Sequence, residues 1–222
     1  MPADQLLLDL GAAPRLGRDD FVQAPSNAAG LDAVEGWSRW PDHRMLLTGP
    51  EGSGRTHLAA IFADRTGAVR LCGRGLGAPG PAPAPAYAVD DADSVAGSDA
   101  REEALFHLIN HARAHGSPLL LTARDTPGTW GVRLPDLESR LLATSVTRLD
   151  RPDDALLTMA LVKLFDDRQL AVEEATITYL VPRIDRSLRM ARTVVEAIDR
   201  AAVTDQKRVT RSMAADVLAG LG

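Results

Sequence analysis

The stretch MLLTGPEGSGRTHLAAIFADRT, residues 45–66, decides the fold. Met45 to Thr48 is a brief apolar run of strand type, and the residues from Thr56 onward carry a helical pattern. Between them GPEGSGRT, Gly49 to Thr56, fits the phosphate-loop spacing G-x-x-x-x-G-K-[ST], except that Arg55 stands in the lysine position. Glycines at this spacing let successive backbone N–H groups turn onto phosphate oxygens. The helix that follows adds the positive end of its dipole, and the Thr56 hydroxyl is placed to ligate Mg²⁺. Gly49, Pro50, Glu51, Gly52, Ser53, Gly54, Arg55, Thr56 and the adjoining His57 are therefore the expected phosphate-binding residues. Arginine keeps the charge of lysine but spreads it over a planar fork, so phosphate binding is expected and fast hydrolysis is not.

Outward from this loop the pattern repeats. AVRLCG reads as a second strand, and RGLGAPGPAPAPA is too rich in proline and glycine for helix or central strand. AYAVDD is a third strand, REEALFHLINHARAH a helix with Leu105, Leu108 and Ile109 on one face, and PLLLTA a fourth strand. Alternation of this kind predicts an α/β fold, a parallel sheet with helices on both faces. After Arg151-Pro152 only helical patterns remain. The expected organisation is a tail over residues 1–12, an α/β base over 13–151 and a small helical subdomain over 152–222.

AYAVDD ends in Asp90 and Asp91, where one carboxylate can hold the water shell of Mg²⁺ and its neighbour can orient an attacking water. The strand LLLT ends in Thr122, a polar group suited to sensing a terminal phosphate between the two motifs. His107, His111 and His115 share a helical spacing, but no carboxylate or thiolate cluster joins them, so they read as a helix face.

Composition narrows the function classes. The chain has 222 residues, 45% hydrophobic and 25% charged, which excludes a disordered chain. With 25 basic and 30 acidic residues the net charge is −5, so no broad cationic field exists for nucleic acid, and any such contact must be local or come through a partner. A single cysteine, Cys72, rules out a disulfide framework and is expected to be a small buried side chain. With no long apolar run and no leader-like N-terminus, a cytoplasmic protein without membrane contact is expected.

These residues resemble the AAA+ ATPase module of the bacterial replication initiator family, the DnaA family, and more closely its DnaA-related regulators of the Hda type. DDFVQAPSN, residues 19–27, is similar to the family segment that lies near adenine, which implies roles for Phe21, Val22 and Asn27; Ala24 replaces the usual glycine. The arginine in the phosphate loop is itself Hda-like. RLPDLESRL, residues 133–141, is similar to the box that carries the arginine finger, which implies Arg140. RIDRSLRMARTVVEAIDRA, residues 183–201, is similar to the lid helix with the sensor arginine, which implies Arg189. ARD at residues 123–125 departs from the family's usual acid-then-arginine order.

The resemblance implies ADP or ATP as the bound nucleotide, with weak intrinsic turnover at most. It also gives meaning to the tail: QLLLDL resembles the peptide by which such proteins dock on the DNA polymerase sliding clamp, the beta subunit. Gln5 would anchor one end while Leu6, Leu8 and Leu10 fill an apolar groove. The family's helix-turn-helix does not follow the lid within these residues, and the Pro/Ala loop replaces the helical insertion that touches single-stranded DNA, so DNA contact is expected only through the clamp. The function implied is stimulation of hydrolysis of ATP bound to DnaA, with Arg140 acting in trans. A nucleotide-dependent adaptor or helicase-loader-like module and an autonomous ATPase are the alternatives. A nucleotide-dependent homo-oligomer is compatible with each.

Overall fold

Hydrophobic alternation along the central strands builds two cores, one on each face of a five-stranded parallel sheet. In the computed structural model, which describes residues 16–77, 82–205 and 208–221, the strands are β1 (Arg44–Thr48), β2 (Val69–Cys72), β3 (Tyr87–Asp90), β4 (Leu119–Ala123) and β5 (Ser145–Arg148). Their order is β2-β3-β4-β1-β5. Successive side chains point to opposite faces of a strand. Leu46, Tyr87, Val89, Leu119 and Leu121 accordingly pack on one face against α3 (Asp99–His115) and α4 (Pro135–Leu142). Met45, Leu47, Ala88 and Leu120 pack on the other against α1 (Pro25–Glu35) and α2 (Arg55–Thr66).

From Asp153 onward the chain is helical: α5 (Asp154–Asp166), α6 (Glu174–Leu180), α7 (Leu188–Asp205) and α8 (Arg211–Leu221). Asp153 caps α5 by accepting the Leu156 N–H at 2.7 Å, which satisfies one of the helix's open donors. Ala191, Val194, Val195, Ile198 and Ala202 line one stripe of α7 and meet Leu157, Leu161, Phe165 and Ile177 in a core of their own. A parallel sheet flanked by helices, followed by a helical C-terminal part with its own core, is thus assembled. Among the described residues no helix is long and apolar enough to cross a membrane.

Two features differ from the expectations. Cys72 is exposed, not buried, because β2 is an edge strand whose residues are largely open to solvent. A fifth strand, SVTR, completes the other edge beside β1.

Glu102 of α3 is an acid inside the first core, only 1% exposed. Its Oε1 accepts the Gly97 N–H, and its Oε2 accepts the N–H groups of Arg133 and Leu134, each at 2.9 Å. The carboxylate therefore fixes the turn into α3 and the segment that launches α4. Burial on its own would raise its pKa. The three N–H donors, aided by the Arg133 charge, outweigh burial and hold it below the ordinary value of 4.5. A depressed folded value means that this stabilisation is complete above the unfolded value and is lost as pH falls through the folded one. Replacing Glu102 by Ala removes the acceptor of three part-buried N–H groups and should cost about 1–3 kcal/mol at neutral pH. Urea unfolding measures it, and the difference between wild type and variant should shrink in acid.

Candidate functional site

The phosphate loop leaves the C-terminal end of β1 and enters α2, whose N-cap Gly54 has φ +99° and offers no side-chain cap. The first N–H groups of α2 are thus free of intrahelical partners and positioned for an anion. Gly52 is also left-handed, at φ +76°. Arg55 is 8% exposed, and its Nη1 is buried without a hydrogen-bond partner, 3.7 Å from Asp91 Oδ1. Ser53 Oγ is likewise buried and unpartnered. Two orphaned polar atoms inside a loop of open backbone donors are what a polyphosphate would satisfy. Thr56, by contrast, is exposed.

β4 lies between β1 and β3, so Thr122 stands between the phosphate loop and the strand-end acids. Its hydroxyl donates to Asp90 Oδ1 at 2.9 Å and accepts the Asp91 N–H at 3.1 Å. Asp91 itself is left-handed, at φ 49°, and this turn separates its side chain from that of Asp90. The second oxygen of Asp90 pairs with Arg70 of β2 at 3.1 Å. Thr56 and Asp90 are hard-oxygen donors of the kind Mg²⁺ takes, but both oxygens of Asp90 are already engaged, by Thr122 and Arg70, so the ion would compete with a cation in place.

The lead-in segment borders the loop at Gly54, which Phe21 approaches. Asn27, 2% exposed, accepts the Ala24 N–H at Oδ1 and donates from Nδ2 to the Val22 carbonyl, both at 2.8 Å. Ala24 has φ −145°, an extended conformation open to any residue, so its departure from glycine causes no strain. Phe21 meets the His57 ring edge-on at 5.1 Å. His57 donates its Nε2–H to the Gly17 carbonyl at 2.9 Å. Burial pushes its pKa below the ordinary value, against the opposing pull of that carbonyl and of Asp20. His57 therefore fastens the lead-in segment to α2 as a neutral ring.

The lid reaches the loop directly. The Leu188 N–H donates to the Gly52 carbonyl at 3.0 Å, Ser187 lies against Gly52, and Arg189 pairs with Glu51 at 3.2 Å. Lys163 of α5 adds a contact to Asp20 at 3.5 Å. Phe21, Val22, Asn27, the loop, Thr122, Asp90, Asp91 and Arg189 thus converge at one end of the sheet.

Arg140 does not join them. It sits in the last turn of α4, just before β5, whose first residue Ser145 is in register with Met45 at the start of β1. A strand of β1's length separates the two ends of the sheet by roughly 13 Å. Arg140 stacks on Phe106 at 5.1 Å. Burial pushes the neighbouring Arg44 guanidinium below its ordinary value; Asp42 opposes this, and the charges of Arg113 and Arg140 add to it. Gln5, Leu6, Leu8 and Leu10 lie outside the described residues. Glu102, Arg70 and the Ser187–Leu188 contact were missed in the sequence, because each works through a partner distant along the chain.

No family profile matches the chain. It is 27% identical over 178 residues to an uncharacterized protein of Haemophilus influenzae, covering 75% of this chain and 77% of that one. Domain III of the Thermotoga maritima replication initiation protein DnaA superposes with a TM-score of 0.79 at 17% identity, over 94% of this chain and 97% of that one. AMPPCP-bound DnaA from Aquifex aeolicus gives 0.69 at 13% identity, over 87% and 70%. The Thermotoga maritima RuvB Holliday junction branch migration motor gives 0.69 at 19% identity, over 93% and 72%. The shared fold is that of the AAA+ module.

A Cβ at residue 52 would adopt an unfavourable backbone conformation and collide with Ser187. Gly52→Ala should therefore lose about 1–3 kcal/mol and loosen the lid. Hydrogen exchange of the Leu188 amide is the direct readout: faster exchange in the variant is expected, while unchanged exchange would mean the contact does not seat the lid.

Proposed function

We propose that this chain is a nucleotide-binding regulator of chromosomal replication initiation, of the Hda type. It docks on the DNA-loaded sliding clamp and stimulates hydrolysis of ATP bound to the initiator DnaA. The observation that carries the reading is the placement of Arg140, held at the end of the sheet opposite its own phosphate loop. A guanidinium there has no access to the chain's own nucleotide but is free to meet one bound by a neighbour. The likeness of fold to domain III of DnaA supports a neighbour of the same architecture.

In this reading ADP or ATP sits among the phosphate loop, Phe21, Val22, Asn27 and the lid. Arg55 neutralises phosphate charge from within the loop, and Arg189 leaves Glu51 to do the same from the lid. Thr56 and Asp90 are the residues that would hold Mg²⁺, in competition with Arg70, and a bound ion would supply further neutralisation of the phosphates. Thr122 senses the terminal phosphate only by exchanging its bond to Asp90. Asp91, already turned toward Arg55, is poorly free to orient water, which accords with slow intrinsic turnover. Arg140 bridges oxygens of the partner's terminal phosphate, where charge gathers as the bond breaks; such fingers are worth about 10³–10⁵ in rate. Phe106 holds the guanidinium in place for that contact.

Gln5, Leu6, Leu8 and Leu10 supply the clamp contact, so DNA is reached only indirectly and the protein works in the cytoplasm. The test follows conversion of DnaA-bound ATP to ADP with this chain, with and without DNA-loaded clamp. Stimulation that requires both is expected. Replacing Gln5 and Leu6 by Ala should weaken clamp binding by about 2 kcal/mol or more and leave thermal stability unchanged. Rapid hydrolysis of free ATP by the chain alone, without effect on DnaA, would instead make it an autonomous ATPase.

A further inference from the structure

We infer that Arg70 is a built-in counter-cation for Asp90 that makes nucleotide binding by this chain independent of Mg²⁺. The inference rests on the proposal that the chain binds ADP or ATP. Both oxygens of Asp90 are engaged: Oδ1 by the Thr122 hydroxyl at 2.9 Å and Oδ2 by Arg70 Nη2 at 3.1 Å. The sheet itself creates the second contact. β2 and β3 are in register with Arg70 opposite Ala88 and Cys72 opposite Asp90. Arg70 and Asp90 are therefore diagonal neighbours on one face, within reach of a long side chain.

The carboxylate is the more enclosed partner, its side chain 19% exposed against 41% for Arg70. A charge-assisted bond to a partly enclosed acid is stronger than one between fully solvated groups. Mg²⁺ sheds its water reluctantly and is commonly bound through one or two carboxylates together with phosphate oxygens. To use Asp90, directly or through its water shell, it must compete with a guanidinium that already supplies positive charge and a directed hydrogen bond. The other strand-end acid is matched in the same way, Asp91 facing Arg55 Nη1 at 3.7 Å.

The nucleotide has less need of the ion as well. Arg55 lies in the phosphate loop and Arg189 beside it on the lid, two guanidiniums able to neutralise phosphate oxygens without metal. Arginine thus stands wherever a cation is needed, and the metal's contribution to affinity is replaced by side chains.

Calorimetric titration of the full chain with ADP, in millimolar Mg²⁺ and in EDTA, tests this for wild type, Arg70→Gln and Arg70→Lys. Wild-type affinity should differ by less than about twofold between the two buffers, while Arg70→Gln should bind about tenfold more tightly with Mg²⁺ than without. Arg70→Lys, keeping the charge, should fall between them. Mn²⁺ in place of Mg²⁺ gives a second readout: its spin-resonance signal should show bound metal in the ADP complex of Arg70→Gln and much less in wild type. Matching circular dichroism melts establish that the variants are folded. A wild-type affinity that drops tenfold or more in EDTA, or an Arg70→Gln variant as insensitive to metal as wild type, overturns the inference and leaves the nucleotide reading intact. Absence of ADP binding by wild type in both buffers defeats the nucleotide reading, and this inference with it.

Discussion

The hydrogen bond from the Leu188 N–H to the Gly52 carbonyl ties the C-terminal helices to the sheet-bearing part of the molecule at the point where chemistry is expected. It exists because residue 52 has no Cβ and can hold a left-handed conformation, so the start of α7 lies directly on the phosphate loop. With the lid seated there, Arg189 is brought to Glu51 and the loop is covered by Ser187 and Leu188. The lead-in segment meets the lid beside the loop, with Phe21 and Leu188 both close to Gly54, and is fastened by His57 and Asn27. The same few residues therefore set the loop's shape, the lid's position and the charge available to a phosphate.

Electrostatic matching gives this end of the sheet its character. Asp90 faces Arg70 and Thr122, Asp91 faces Arg55, and Glu51 faces Arg189. Each of these three acids already has a cationic neighbour. Such pairs contribute modestly to stability when solvated, but they set which ligands can compete for the site. At the opposite end the charges of Arg113 and Arg140 act on the buried Arg44 guanidinium, with Asp42 as the acid that opposes them.

Much of this was legible from the sequence where local pattern and tertiary structure agree. The apolar runs MLLT, AYAV and LLLT became adjacent parallel strands, and the order of strand, glycine loop and helix around Gly49 to Thr56 marked the site itself. SVTR was not legible as a strand because an edge position with alternating exposure leaves no apolar run. Cys72 was misread for a related reason, since the position of β2 at the other edge is a property of strand order, not of the residues. Glu102, in the middle of an amphipathic helix, looked like one more solvated acid; its role depends on backbone donors about 30 residues away. Arg70 was hidden likewise, because its meaning lies in the register between two strands.

The central claim is that this chain supplies a catalytic charge to a nucleotide that another subunit holds. The most direct measurement is the rate of ADP formation on DnaA preloaded with ATP, in the presence of DNA-loaded clamp, with wild type or Arg140→Ala. Since Arg140 stacks on Phe106 at the end of the sheet away from the phosphate loop, the variant should retain nucleotide and clamp binding and lose the stimulation, by about 10³-fold if the finger is typical. Stimulation by Arg140→Ala equal to that of wild type would contradict the account.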